Sequence, residues 1–412
     1  MRKLRQKWLT GCIVATFALA PIVNFPVEAL ATTSLASAKV ATFSPSTQRL
    51  AGNDRYGTAE QIAQEGWKST SDYAVLTAGM DENLVDALAA APLAKLHNAP
   101  ILLTEGNVLN SKAEAEIKRL GVKTVYVTTG STVIKSAVTD RLTELGVNTI
   151  MLGGSDRFAT AVNIAKEIAS VKPFTQIAVT TAWKNADALS VASFAAAKGF
   201  PILLSDVNSL PQGTADYINS LRDSISDTYV LGSETVIGQS VENALPKPTR
   251  VGGSDRYATN REILKTFARD IVHGKVFVAS GEDNHLVDAL SVSPLAGQNL
   301  APVVLTGQTM PPETTDFVKK NLLPNQLIAL GGESAVPSPS LQALTTFITY
   351  ADSSVTEGSE DATAPVTIAD TLIISGDNVT LQNAKETDSI YVQGDKAVLK
   401  NLDVTGTIFL DP

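Results

Sequence analysis

Three times in the 412-residue sequence, an aspartate-arginine pair directly follows a turn that contains glycine. The pairs are Asp54-Arg55, Asp156-Arg157 and Asp255-Arg256. The backbone N–H groups of such a turn, placed before a helix, can bind an anion, and the arginine would add positive charge. In the alternative, the aspartate caps the helix and the arginine pairs with a carboxylate of a neighbouring repeat. The turn lacks the G-x-G-x-x-G and Gly-Lys-Ser/Thr patterns, which disfavours a nucleotide site.

A second acidic residue recurs at the start of the tripeptide Asp-Ala-Leu. Its copies are Asp86, Asp187 and Asp288, which follow the first aspartates by 32, 31 and 33 residues. Each lies near the start of a predicted helix that follows a strand, which is where open α/β sheets bind ligands. Helix capping is the structural alternative, and the sequence leaves both interpretations open.

Side chains that could catalyse a reaction are scarce. The three histidines, His97, His273 and His285, occupy different places in their repeats, so no histidine recurs with the motif. The single cysteine, Cys12, excludes a disulfide framework and a cysteine-based zinc site. We therefore predict no catalytic residue, no metal site, no cofactor and no enzymatic activity.

A threefold internal repeat must position these residues. The aspartates at 54, 156 and 255 are 102 and then 99 residues apart. A proline followed by three apolar residues and a hydroxyl residue is a third landmark, and a glycine 76 residues past each aspartate is the fourth. These landmarks are Pro100–Thr104, Pro201–Ser205 and Pro302–Thr306, and then Gly130, Gly232 and Gly331. Four landmarks in register three times indicate homologous modules of about 100 residues.

Apolar spacing in the first repeat predicts alternating strands and helices. The predicted helices are Thr58–Trp67, Val85–Leu96 and Ser111–Leu120, and the predicted strands are 74–77, 99–104 and 124–128. Ser111 is the expected N-cap of the last helix and Gly121 its stop. Strands separated by helices imply right-handed βαβ units and a parallel sheet. The predicted fold class is therefore α/β, with three Rossmann-like parallel-sheet modules.

The amino-acid composition and the spacing of apolar residues change after the third repeat. Charged and hydroxyl residues predict a linker over 348–365. Short apolar alternations broken by Gly, Asn and Asp then predict a small all-β, β-helix-like segment over 366–412. The tripeptides Leu-Gln-Asn383 and Leu-Lys-Asn401 favour the β-helix, because an asparagine at a turn can stack on its copy in the next coil. The repeats occupy 48–148, 149–248 and 249–347.

The amino terminus is typical of a secretory signal peptide over residues 1–31. A basic stretch is followed by an apolar one from Trp8 to Phe25 and by Ala29-Leu30-Ala31, and cleavage is expected after Ala31. A linker would span 32–47. An uncleaved anchor helix is the alternative, and Pro21 and Pro26 argue against it. After cleavage we expect an exported protein with no membrane segment.

Composition limits the partners. The 44% apolar residues suffice for packed cores, and the full chain has a net charge of −9. Removing four cations and one anion with the signal peptide leaves 29 basic and 41 acidic side chains, a net charge of −12. Such an acidic chain is not expected to bind nucleic acid through its overall field.

Several motifs together resemble the cell wall binding repeat type 2 modules of Gram-positive surface proteins. They are the Arg-x-x-Gly-x-Asp-Arg-Tyr opening, the Asp-Ala-Leu helix, the Pro-Ile-Leu-Leu-Thr strand and the closing Gly-Gly-x-x-Ala/Thr-Val run. The resemblance covers residues 48–347. It implies that three modules pack with pseudo-threefold symmetry. It also implies non-covalent attachment to an anionic, teichoic-acid-like secondary polymer of the wall.

The resemblance suggests which residues would bind that polymer. The family's Ile-Leu-Leu motif, which is linked to anchoring, carries over to the third landmark, and the hydroxyl residue after it joins the repeated arginines and aspartates. The candidates are Arg55, Arg157, Arg256, Asp86, Asp187, Asp288, Ile101, Leu102, Leu103, Thr104, Ile202, Leu203, Leu204, Ser205, Val303, Val304, Leu305 and Thr306. The third copy departs from the motif at two positions, and the first ends in Thr-Thr-Gly130 where the family has Gly-Gly. Either departure can mark a module that packs but binds weakly.

Two other functions stay open. Members of this repeat family are attached to amidases and proteases, so the chain could be an accessory or modifier component of a wall hydrolase. No segment outside the repeats is rich enough in His, Glu or Cys to be such an enzyme itself. A structural surface-layer component acting through its C-terminal β segment is the other possibility, and residues 366–412 would then bind a protein partner.

Overall fold

A computed structural model describes residues 2–4, 45–272, 274–345, 348–350, 352, 354–368, 371–386, 390–406 and 408–410. The predicted cleavage site after Ala31, nearly all of the predicted 32–47 linker and His273 lie outside these residues. The chain divides into two compact units. One comprises Pro45–Leu344, which holds the repeats, and the other comprises Met1–Ser44 with Thr345–Pro412.

The repeat unit contains three four-stranded parallel sheets, as the sequence predicts. In spatial order, sheet 1 is Ile101–Thr104, Tyr73–Ala78, Thr124–Val127 and Asn148–Met151. Sheet 2 is Ile202–Ser205, Gln176–Thr181, Asp227–Leu231 and Pro248–Val251. Sheet 3 is Val303–Thr306, Lys275–Ser280, Gln326–Leu330 and Ser46–Leu50. The strands are short apolar runs because helices cover both faces of each sheet.

The last strand of each sheet comes from the segment that precedes the next repeat's aspartate-arginine pair. We call these the closing strands: Asn148–Met151, Pro248–Val251 and Ser46–Leu50. The closing strand of sheet 3 comes from the beginning of the repeat unit, and Ser46 pairs with Gln326, 280 residues away. Each repeat therefore completes its neighbour's sheet, and Ser46–Leu50 closes the three repeats into a ring.

Helices alternate with the strands in all three repeats. In the first they are Arg55–Gly66, Ala90–Leu96, Ser111–Leu120 and Ser136–Glu144, with a 3₁₀ segment at Asp81–Ala87. In the second they are Arg157–Val171, Asn185–Lys198, Gln212–Leu221 and Gln239–Ala244. In the third they are Arg256–Thr266, Leu286–Gln298, Pro312–Asn321 and Ser338–Gln342, with a 3₁₀ segment at Ala268–Asp270.

The helices of the first repeat agree with the sequence-based prediction except in two respects. The predicted helix Ser111–Leu120 is confirmed and ends at Gly121, which is left-handed with φ 66°. Its cap is Asn110, whose side chain accepts from the Lys112 N–H, and the prediction of Ser111 as cap is wrong. The predicted helix Val85–Leu96 is broken and becomes α-helical only at Ala90. This places Pro92 in the first turn, where its missing N–H has no helical partner to lose.

The helices Ala90–Leu96, Asn185–Lys198 and Leu286–Gln298 pack against one another in the centre of the ring. They are apolar around most of their circumference, as expected for helices surrounded by protein. Gly297 permits the closest approach, since a Cβ there would lie 2.8 Å from the Ala196 Cβ. One apolar core runs through all three repeats. The ring is thus one packed body, in agreement with the predicted pseudo-threefold arrangement.

The second unit is a β-solenoid, as its asparagines predict. One parallel sheet contains Ile348–Tyr350, Leu372–Ile374, Ile390–Val392 and Ile408–Leu410. The other contains Thr356–Gly358, Val366–Ile368, Thr380–Glu386 and Val398–Val404. Arg2–Leu4, from the predicted signal segment, pairs antiparallel with Ile408–Leu410.

A side-chain ladder fixes the register of the solenoid coils. The Asn401 Nδ2 donates to the Asn383 Oδ1 at 2.8 Å, and the Asn383 Nδ2 donates to the Ser359 carbonyl at 2.6 Å. Both asparagines are left-handed, with φ 51° and 46°, a conformation that asparagine tolerates better than most residues. Tyr391 stacks on Phe409 at 4.2 Å between ring centroids. Stacking of equivalent residues in successive coils is therefore confirmed.

Candidate functional site

The aspartate-arginine turns are helix caps. Asp54, Asp156 and Asp255 accept hydrogen bonds at 2.7, 2.7 and 2.8 Å from the N–H groups of Gly57, Ala159 and Ala258. A threonine hydroxyl in each helix accepts from the turn glycine, for example Thr160 from the Gly154 N–H at 2.9 Å. These contacts confirm the capping interpretation. They also use backbone N–H donors that would otherwise be available to an anion. An anion at this turn would therefore have to be bound by the arginine side chain.

The arginines bind within their own repeat. Arg55 donates to the Gly79 carbonyl at 2.6 Å and pairs with Asp81, which raises the pKa of the guanidinium. Arg256 donates to the Gly281 carbonyl and pairs with Asp283 at 2.8 Å. Each of these two ion pairs is therefore formed within one repeat, whereas the carboxylate of the neighbouring repeat interacts with the arginine only at longer range. The reason is local: the loop after the first sheet strand brings both a carbonyl and a carboxylate to the arginine.

Arg157 differs from its two counterparts. It donates to the Ala182 carbonyl at 3.0 Å, and its Cζ lies 4.6 Å from the ring centroid of Trp183. Within the described part of the chain, no carboxylate lies within ion-pair distance of this arginine. The cause is a loop that is two residues shorter between the strand and the Asp-Ala-Leu helix, with Lys184 at the position of the acidic partners Asp81 and Asp283.

The Asp-Ala-Leu aspartates face the next repeat. The N-caps of their helices in the second and third repeats are Lys184 and His285, neither with a capping side-chain bond, so the capping alternative is wrong here. Asp86 lies opposite Arg157, Asp187 opposite Arg256, and Asp288 opposite Arg55, close enough for electrostatic interaction. We call these three contacts joints 1/2, 2/3 and 3/1.

Burial of the aspartates differs among the joints. Asp187 and Asp288 are each 5% exposed, whereas Asp86 is half-buried. Burial raises the pKa of Asp187 to about 6, against the opposing effects of Arg256 and a hydrogen bond from Thr259. Burial raises the pKa of Asp288 to about 7, with Arg55 opposing. For Asp86 the pKa rises for the same reason, opposed by Arg157.

The closing glycines make room for these carboxylates. A Cβ on Gly331 would lie 2.5 Å from the Asp288 Oδ2, and one on Gly232 would lie 2.9 Å from the Asp187 Oδ2. Both glycines also have positive φ, 84° and 106°, which disfavours other residues. The fourth sequence landmark is thus explained by close approach at joints 2/3 and 3/1.

Joint 1/2 is an open cleft of about 210 Å³. Its walls come from the 3₁₀ segment of the first repeat and from the turn and helix start of the second. The lining residues are Glu82, Asn83, Val85, Asp86, Gly130, Thr132, Gly154, Ser155, Asp156, Arg157 and Thr160. Three carboxylates and one guanidinium therefore share the cleft, and Arg157 is its only cationic lining residue.

The apolar candidates lie in the core. The three strands that carry the Ile-Leu-Leu motif and its variants are fully buried, at 0 to 2% exposure. These residues are Ile101, Leu102, Leu103, Ile202, Leu203, Leu204, Val303, Val304 and Leu305. Thr104, Ser205 and Thr306 are buried too, and each hydroxyl donates to a backbone carbonyl. These side chains cannot touch a polymer in this fold, so an effect on anchoring would act through the core.

The described histidines do not come together. His97 packs on Tyr73 and Tyr126, and burial lowers its pKa. His285 lies at a helix start in the third repeat. Among the described residues, no group of three or more His, Cys, Asp or Glu side chains could hold a metal ion. None of the helices in this part of the chain is long and apolar enough to cross a membrane.

The sequence analysis did not predict the role of the first arginine of the opening motif, nor that of Trp183. Arg49 and Arg250 reach from a closing strand to the preceding repeat, where they donate to the carbonyls of Gly331 at 2.8 Å and Gly232 at 2.9 Å. Met151 occupies the same position at joint 1/2 and is 42% exposed. The recurring first arginine of the opening motif was the available signal. Trp183 had no repeat counterpart to reveal it.

The sequence profile of cell wall binding domain 2 matches this chain three times, at residues 49–139, 151–242 and 250–342. The chain belongs to the cell wall binding domain 2 family. The three matches correspond to the three repeats of the ring, and the family indicates a location at the cell wall or surface.

Two curated relatives match most of this chain. The chain is 31% identical over 261 residues to the N-acetylmuramoyl-L-alanine amidase LytC of Bacillus subtilis, covering 63% of this chain and 50% of the relative. It is 28% identical over 293 residues to the amidase enhancer of the same organism, covering 70% and 39%. The chain thus spans half or less of the length of these curated relatives.

Solved structures agree with the fold. Cwp6 from Clostridium difficile superposes with a TM-score of 0.68 at 25% identity, covering 82% of this chain and 56% of that one. Cwp8 from the same organism gives 0.65 at 28% identity, covering 72% and 51%. The chain therefore contains three tandem cell wall binding domains and shares its fold with these two proteins.

Proposed function

We propose that the chain is a secreted surface protein that its repeat ring anchors non-covalently to an anionic secondary polymer of the Gram-positive wall. The proposal rests on one observation: the chain contains three tandem wall-binding repeats, and they form one closed ring. Signal cleavage after Ala31 would release the mature chain outside the cell. On this proposal the ring binds and does not catalyse, and it requires no cofactor.

The overall charge opposes binding of an anion, so local donors must supply it. The mature chain carries a net charge of −12, and like charges repel at long range. Arg157 is the best local donor, because Arg55 and Arg256 are already paired with carboxylates. In the same cleft, Asp156 is held by the helix N-terminus, which partly offsets its charge. We place the strongest polymer contact at joint 1/2, on the Arg157 side.

Three repeats on one body would strengthen weak contacts by multivalency. A polymer chain bound at one joint raises the local concentration of its next units at the other joints. This accounts for wall retention by single contacts that are each weak. Because the ring is closed, deletion of one repeat also removes two joints. Arginine substitutions are therefore the cleaner test of each contact.

The test of the anionic polymer is co-sedimentation of residues 32–412 with purified walls, before and after hydrofluoric acid extraction. We expect binding to intact walls and at least a tenfold loss after extraction, a change of about 1.4 kcal/mol. Walls treated in parallel without acid are the control. Binding that survives extraction unchanged would mean that peptidoglycan is recognised, and the polymer proposal would be wrong.

A second role is favoured by the likeness to the amidase enhancer. In this role the chain is an accessory of a wall hydrolase, and the solenoid, which includes the predicted segment 366–412, binds a protein partner or assembles a surface layer. Its parallel sheets and apolar core show that this segment is a packed structure. Addition of the mature chain to an amidase digest of walls distinguishes this role, since a pure anchor would leave the rate unchanged.

A further inference from the structure

Trp183 occupies a position where the other repeats have no aromatic residue. In each repeat the carbonyl that accepts from the repeat arginine belongs to the residue before this position, namely Gly79, Ala182 or Gly281. The next residues are Met80, Trp183 and Glu282. Trp183 is 53% exposed, unusual for the largest apolar side chain in a protein. The second repeat thus presents an aromatic surface that its copies lack.

Polar contacts hold the indole of Trp183 in place without covering it. The Arg157 guanidinium lies over the ring, and the Nε1 donates to the Asp206 Oδ1 at 2.9 Å. The Trp183 backbone N–H also binds the Thr181 hydroxyl at 3.3 Å. With these contacts in place, Trp183 is still 53% exposed, so about half of its surface stays open. A half-exposed indole that polar contacts hold in place can bind a ligand instead of packing in the core.

We propose that Trp183 is a stacking platform for a pyranose ring of the wall polymer, with Arg157 and Asp206 beside it. The inference rests on the proposed function and assigns the sugar contact to the second repeat. The C–H face of a pyranose is flat and apolar and matches an indole face. Asp206 can accept from sugar hydroxyls, and Arg157 can donate to a hydroxyl or to an anionic substituent.

The geometry explains why one repeat would carry this contact. A methionine at the first position, Met80, offers no flat face, although it is 46% exposed. At the third, Glu282 is charged and accepts from the Tyr257 hydroxyl. Arg55 and Arg256 are also engaged with carboxylates, whereas Arg157 is not. The aromatic face and the arginine without an ion pair among the described residues therefore occur together.

The experiment uses residues 32–412 and polymer released from walls, with affinity measured by calorimetry. We expect Trp183→Ala to weaken binding about tenfold, as for a central tryptophan contact. Trp183→Phe keeps an aromatic face and should lose less. Met80→Ala is the matched control, since it removes an exposed side chain at the equivalent position, and should bind as the wild type does.

Intrinsic fluorescence gives an independent reading on the wild type. The mature chain has two tryptophans, and Trp67 is 3% exposed with its Nε1 bound to the Asn98 carbonyl. A ligand-dependent shift in emission would therefore report on Trp183. Equal affinity of the wild type and Trp183→Ala would overturn the inference and leave the polymer anchor standing. Absence of polymer binding by the wild type would overturn both. Trp183-dependent binding of peptidoglycan glycan alone would refute the polymer as the source of the sugar.

Discussion

Joint 3/1 and joint 1/2 are built from the same motifs but are closed to different degrees. At joint 3/1, Arg49 bonds to the Gly331 and Val336 carbonyls, and Asp288 is buried against the next repeat. At joint 1/2, Met151 replaces the arginine, Asp86 is half-buried, and a cleft of about 210 Å³ remains. Identical sequence landmarks therefore do not imply identical contacts.

The difference suggests that the two joints have different functions within the ring. The closed joint holds together two ends of the unit that are 280 residues apart in sequence. The open joint leaves Arg157 without an ion pair among the described residues and places it beside Trp183. A closed joint contributes stability, and an open one leaves surface for a ligand. On this account stability depends most on joint 3/1 and polymer binding most on joint 1/2.

Removal of Ser46–Leu50 should give the largest effect on stability. The deletion exposes the edge of Gln326–Leu330, removes the buried Leu50 and breaks the Arg49 bonds. We expect the free energy of unfolding to fall by about 5 kcal/mol or more, since loss of the leucine alone costs about 2–5 kcal/mol. Urea denaturation measures the change, with a chain that begins at Pro45 as control. A variant as stable as that control would show that the ring does not depend on this strand.

The pH dependence of stability should come mainly from the closed joints. The folded-state pKa values of Asp187 and Asp288, about 6 and about 7, lie above the ordinary value of 3.8. The contribution of these two aspartates to stability is therefore greatest below about pH 4 and is lost as the pH rises through their folded-state pKa values. For Asp288 the loss between pH 4 and pH 8 is on the order of 4 kcal/mol.

Denaturation curves from pH 4 to pH 8 measure this effect. Asp288→Asn should flatten the profile, because the amide stays neutral throughout. Asp86→Asn is the matched control from the open joint and should change the profile much less, since Asp86 is half-buried. Equal flattening by the two variants would remove the distinction between the joints.

Local signals predicted the parts of the fold that depend on neighbouring residues. The repeat landmarks indicated three α/β modules, the aspartates after each glycine turn indicated caps, and Asn383 and Asn401 indicated the solenoid ladder. Each of these depends on contacts within a few residues or on a fixed period. They can be recognised without knowledge of the tertiary structure.

Long-range contacts could not be predicted in the same way. The pairing of Ser46–Leu50 with Gln326–Leu330 leaves no local pattern, because the same strand would look alike with any partner. The partners of the repeat arginines depend on the length of the loop that follows the first sheet strand. In the second repeat this loop is shorter, and Arg157 contacts the Trp183 ring instead of forming an ion pair with a described residue. The burial of Asp288 follows from ring closure and not from its tripeptide.

The most direct test of the account is the affinity of purified wall polymer for the three arginine variants of the mature chain. Calorimetric titrations of Arg55→Ala, Arg157→Ala and Arg256→Ala are compared with the wild type, after thermal melts confirm that each is folded. Because Arg157 is the repeat arginine without an ion pair among the described residues, we predict a loss of about tenfold or more for Arg157→Ala and less than about threefold for the others. Equal losses, or none for Arg157→Ala, would contradict the assignment of polymer binding to the open joint.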